Sequence, residues 1–169
     1  MDLPTRFDQN EIFVIVAFII SYIIVLLLPK RFPLAITILI MVFASIVARL
    51  SDHLISGTLI DLYDVMDTGK YELFDLFVYL LYPPFCYLFI YVYDKCKPTG
   101  LSIVLFIIAC SIIGMLFEGL CVLFDVFQYK GWKLYYSFSF YLFIQSSTLV
   151  FFVYICKIVN LERKKHVPK

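Results

Sequence analysis

The chain has 169 residues, of which 63% are hydrophobic and 19% aromatic, and it carries a formal charge of +1. That leaves too little polar surface to cover a water-soluble globule of this size, so the composition excludes one and makes the lipid bilayer the solvent and first partner. The basic residues are scattered through short connections and the tail, which gives no reason to expect a nucleic-acid partner.

A short leader with Asp2, Asp8 and Glu11 precedes the first apolar run, at about 11–28. It lacks the basic start and small-residue cleavage site of a signal peptide, so this run is expected to be retained. Pro29, Lys30, Arg31, Phe32 and Pro33 then make a tight membrane-surface turn into the second run, about 34–51. The connection from Gly57 to Lys70 carries Asp61, Asp64 and Asp67 at every third position, which predicts a short amphipathic surface helix with its carboxylates in water. In the third run, about 71–93, Pro83 and Pro84 remove two amide donors in succession, so a helix break or kink is expected there. Runs at about 101–124 and 134–159 complete the set. Each is close to the roughly 20 residues that cross the hydrocarbon core, and none alternates with period two. The fold class expected is therefore all-α, a polytopic bundle of five transmembrane helices forming one domain over 1–169.

Five crossings put the termini on opposite sides. With the N-terminus outside, nine basic residues fall on inner segments and five on outer ones. The positive-inside rule then predicts an external N-terminus and a cytoplasmic C-terminus. The five cysteines have no metal-ligand or redox spacing and read as free thiols, Cys96 lying in an inner loop.

Depth and helical phase carry the functional reading. At about 1.5 Å per residue, Arg49 and Glu118 each lie roughly 25 Å from the inner ends of their helices, and Asp75 roughly 6 Å below the outer surface. Three helices thus place charge in one layer. Residues three, four or seven apart share a face. That face carries Arg49, Asp52 and His53 on the second helix, and Glu72, Asp75, Tyr79 and Tyr82 on the third. On the fourth it carries Gly114, Glu118, Cys121 and Asp125, and on the fifth Ser137, Tyr141, Gln145 and Thr148. These stripes are expected to face one another, with the first helix at the periphery.

Arg49 should find a carboxylate at this depth. Glu118 and Asp75 are the expected partners, with Asp52 an i+3 neighbour. The layer reads either as a structural ion pair with snorkelling side chains or as a cation-attracting pocket, since carboxylates outnumber the one arginine. His53 beside Asp52 has no second histidine at a zinc spacing, so an interfacial helix-end role outweighs a metal or catalytic one, and no metal or cofactor is expected.

Tyr71, Glu72, Leu73, Phe74 and Asp75, with Tyr82, Pro83, Pro84, then Tyr93, Asp94, Lys95, and later Gly131, Trp132, Tyr136 and Ser137, resemble a pattern from small multi-pass membrane proteins of Gram-positive, often spore-forming bacteria. The resemblance covers the C-terminal two thirds. It implies a bacterial plasma membrane and five spans but no activity, because that family has none assigned.

Three functions fit these residues. The favoured one is binding or conduction of a small cation, proton or polar solute through an outward-facing acidic pocket. The second is an accessory subunit whose polar stripes pack a membrane-protein partner or a second copy. The third is an enzyme acting on a lipid-linked substrate, for which no nucleophile motif, metal quartet or glycine-rich phosphate loop is present.

Overall fold

The computed structural model describes residues 7–56, 61–66 and 73–165. Five helices follow in order: α1 (Gln9–Leu27), α2 (Leu34–Ile55), α3 (Leu73–Cys96), α4 (Leu101–Leu123) and α5 (Leu134–Lys165). All five are long and apolar enough to cross a membrane. The chain is an all-α multi-pass bundle. Most helix ends differ from expectation by about a turn, for local reasons, while α5 continues past the expected Val159 to Lys165. α1 starts early because the Glu11 side chain, three residues on, accepts the Asp8 amide at 2.7 Å. α2 runs one turn longer because the Ser56 amide still reaches the Asp52 carbonyl at 2.8 Å.

α3 is the central helix, with half of its apolar window buried, against at most 22% for the others. It passes through Pro83 and Pro84 as continuous helix, so the expected break is not there, and both prolines are buried. A carbonyl freed by them is recaptured: Pro84 has no amide to offer the Leu80 oxygen, and the Tyr22 hydroxyl of α1 donates to that oxygen at 3.1 Å. α1 is therefore not peripheral. Phe18 meets Phe77 edge-on, and Asn10, Glu11 and Val14 are buried. The least buried span is α4, at 6%.

Two apolar clusters fill the bundle, one at each end. Val14, Phe74, Val78, Leu81 and Cys121 belong to the first, and Ile36, Ile40, Ile90, Leu149 and Phe152 to the second. At the second end Arg31 ties the α1–α2 turn to α3 through an ion pair with Asp94 and a 3.0 Å bond to its carbonyl.

At the first end the described part of the α2–α3 connection is a strand, not the expected amphipathic helix. β1 (Tyr63–Val65) pairs antiparallel with β2 (Phe127–Tyr129) of the α4–α5 connection, in the register Tyr63 to Tyr129 and Val65 to Phe127. The amides of Lys130, Gly131 and Trp132 all donate to the Leu62 carbonyl at 2.9–3.0 Å. Asp61 and Asp64 are held outside by Lys130 at 2.8 and 2.9 Å, while Asp67 lies outside the described residues. The alternation Tyr63, Asp64, Val65 is strand patterning. This two-stranded piece forms a lid across one end of the bundle.

Candidate functional site

Beneath the lid lies a partly open cavity of about 60 Å³, room for a few waters or one small polar group. The strand period puts Tyr63 and Val65 of β1 and Phe127 and Tyr129 of β2 on its roof. Asp52 of α2, Tyr79 and Tyr82 of α3, Glu118 of α4 and Tyr141 of α5 form its walls, with Trp132 beside them. α4 and α5 lie close here: a Cβ at Gly114 would touch the Tyr141 ring at 3.4 Å, in van der Waals contact.

The two carboxylates are held differently. Asp52, buried, accepts the Tyr79 hydroxyl at 2.6 Å and Arg49 at 3.2 Å on Oδ2, and the Ser56 hydroxyl at 3.1 Å on Oδ1. Arg49 stands at the rim, 44% exposed, with its guanidinium 5.3 Å over the Tyr79 ring. Glu118 is held by hydroxyls. Tyr129 and Ser137 both donate to Oε1, Ser137 at 2.5 Å, and Ser137 in turn accepts the Trp132 indole N–H at 2.7 Å. The Tyr141 hydroxyl lies close to the same carboxylate. Among the described residues, no lysine, arginine or histidine pairs with Glu118.

The lid tyrosines respond to these acids. Burial first, then the charge and hydrogen bond of Asp52, holds the Tyr63 hydroxyl above the ordinary tyrosine range. Burial, then the hydrogen bond and charge of Glu118, does the same for Tyr129. Both therefore stay neutral donors at physiological pH.

Of the residues singled out from sequence, Asp52, Tyr79, Glu118 and Tyr141 meet at this cavity. Arg49 pairs with its own-helix neighbour Asp52; its ion pair among the described residues is not to Glu118 or Asp75. Asp75 is buried beside Phe74 and Val78 in the apolar cluster, one turn from Tyr79. Gln145 sits deeper, accepting Ser111 at 3.1 Å. His53 is exposed. Asp125 falls past the end of α4 with a φ of 57° and accepts Gln9 at 2.7 Å. Glu72 lies outside the described residues. Pro83 and Pro84 are buried within α3.

The sequence reading missed the roof, singling out neither Tyr63 nor Tyr129 as a site residue. The signal was the short alternation Tyr63-Asp64-Val65 matched by Phe127-Gln128-Tyr129. Among the described residues, no group of three or more histidine, cysteine or acidic side chains is placed to hold a metal ion. No protein-family model, curated protein or solved structure matches the chain.

Proposed function

We propose that the protein is a multi-pass plasma-membrane protein that binds a small cation in the cavity between the lid and α2–α5, with the lid end facing outside. One observation carries this: Glu118 is a carboxylate facing a water-sized cavity, held by neutral hydroxyl donors and without a basic side chain among the described residues. Hydroxyl donors lower the cost of keeping the charge but do not cancel it. A cation entering the cavity does cancel it. Asp52 already has Arg49, so Glu118 is the residue with charge to offer.

The cavity is at one end of the bundle, and the next polar contact along it is Ser111 with Gln145. Binding is therefore favoured over conduction. The bacterial resemblance and the nine-to-five distribution of basic residues support the membrane and the orientation.

The test is thermal unfolding of the purified protein across a series of cations. Stabilisation should follow the logarithm of concentration over the dissociation constant, and vanish in a folded Glu118→Gln variant while persisting in Asp125→Asn. Equal behaviour of parent and Glu118→Gln would make the carboxylate structural and favour the accessory-subunit reading.

A further inference from the structure

The roof and walls of the cavity say more about the cation than its charge. Hard metal ions are bound by shells of about six to eight oxygens at short distance, and transition metals by clustered histidine, cysteine and carboxylate. This cavity offers two carboxylates on separate helices, and both already accept hydroxyl donors. The Tyr79 hydroxyl is committed to Asp52 and the Tyr129 hydroxyl to Glu118. Much of the remaining lining is aromatic, from Tyr63, Tyr82, Phe127, Tyr129, Trp132 and Tyr141.

Aromatic rings attract cations through the negative potential of their faces, most strongly when the cation sheds water easily. Alkyl groups on nitrogen spread the charge and weaken hydration, so a substituted ammonium loses less on entering such a cage than sodium or potassium does. The site already shows the preference: the Arg49 guanidinium, a weakly hydrated cation, rests over the Tyr79 ring that forms one wall. The cavity, about 60 Å³, is partly open, so a substituted ammonium head enters it in part and keeps its remaining alkyl groups at the mouth.

Building on the cation-binding reading above, we infer that the ligand is a substituted ammonium head, caged by the lid and wall aromatics with Glu118 as its counter-charge. Such a head belongs either to a free solute or to a choline-type lipid in the surrounding leaflet. The chemistry at Glu118 is the same for both.

The test uses labelled tetramethylammonium and the full-length protein in nanodiscs of phosphatidylglycerol. Saturable binding is expected, with unlabelled tetramethylammonium competing at least about tenfold better than potassium or sodium. Glu118→Gln should abolish it. Tyr129→Leu should weaken it about tenfold, whereas Tyr129→Phe, which keeps the ring and loses the hydroxyl, should retain it. This pair separates a cage from a hydrogen-bonding role even if one variant folds poorly. Rebuilding the discs from phosphatidylcholine names the source: displacement of the label identifies the lipid head, and unchanged binding identifies a free solute.

Potassium or sodium competing as well as tetramethylammonium would overturn the inference while leaving a cation site at Glu118. Absence of binding by every cation, in a protein whose unfolding remains cooperative, would overturn both.

Discussion

Ser137→Ala removes a hydroxyl that serves two partners at once. Ser137 is 1% exposed, donates to Glu118 at 2.5 Å and accepts the Trp132 indole at 2.7 Å. A neutral hydrogen bond contributes about 1 kcal/mol net and one to a charged group about 1.5–3 kcal/mol, so the two together set a ceiling of about 2.5–4 kcal/mol. Tyr129 still donates to the same carboxylate oxygen, and the cavity admits water that can refill the vacated position. The expected loss is therefore below that ceiling, roughly 2 kcal/mol. Trp132 is the sole tryptophan, so its fluorescence reports this position alone. Reversible unfolding in mixed micelles should give the energy, and the folded variant's emission should shift to the red as the freed indole turns to solvent. Stability within about 0.5 kcal/mol of the parent, with unchanged emission, would mean that the Trp132–Ser137–Glu118 chain does not hold the site together.

Four further outcomes follow from the geometry. Replacing Arg49 by Met should cost only about 0.3–1 kcal/mol, far below the roughly 3–5 kcal/mol expected of a dry pair, because Arg49 is 44% exposed and Asp52 keeps Tyr79 and Ser56; a larger loss in the same micelle assay would place the pair in a drier setting than the rim. Tyr22→Phe should destabilise the parent by about 1–2 kcal/mol but cost clearly less in a Pro84→Ala background, where the substituted position gains an amide that can serve the Leu80 carbonyl; equal costs in both backgrounds would uncouple Tyr22 from the proline. Tyr129 is held protonated in the fold, so its contribution is full below about pH 10 and is lost as pH rises through the higher folded value; Tyr129→Phe should flatten that alkaline decline, and a decline of unchanged steepness would assign it elsewhere. Cys96, exposed at the end of α3, should resist a membrane-impermeant thiol reagent in intact cells and react after permeabilisation, with the other four cysteines replaced; reaction in intact cells would invert the orientation.

The spans were readable because each is a long apolar run, and length alone decides a crossing. Depth was readable in part: counting rise per residue put Arg49, Glu118 and Asp75 in one layer, and the cavity takes Glu118, with Arg49 at its rim, while Asp75 is buried beside Phe74 and Val78. Phase failed wherever a helix stopped. Asp125 continues the stripe of Glu118 and Cys121 on paper, but α4 ends at Leu123 and the next residues turn away. His53 follows Asp52 by one residue, about 100° round the helix, and so faces outward. Arg49 took the partner three residues along its own helix, which needs no second helix to be placed.

The lid was hidden for a different reason. Its strands are three residues each and come from connections more than sixty positions apart, so neither is detectable without the other. The three-residue spacing of Asp61, Asp64 and Asp67 imitates a helix, whereas Asp64 between inward Tyr63 and Val65 is the pattern the structure uses. Lys130 was legible only as a loop charge. Its hydrogen bonds to Asp61, then Asp64, raise its pKa, so this clamp is complete below the ordinary lysine range and opens only as pH rises beyond it.

The central claim is that Glu118 supplies the charge that a cation meets in the cavity. The most direct measurement is carboxyl ¹³C NMR of protein labelled at its four glutamates, with the Glu118 signal assigned by its disappearance in Glu118→Gln. On titration with tetramethylammonium, the Glu118 resonance should move saturably while those of Glu11, Glu72 and Glu162 stay in place. A Glu118 resonance that stays fixed, or four resonances drifting together in proportion to added salt, would contradict the claim.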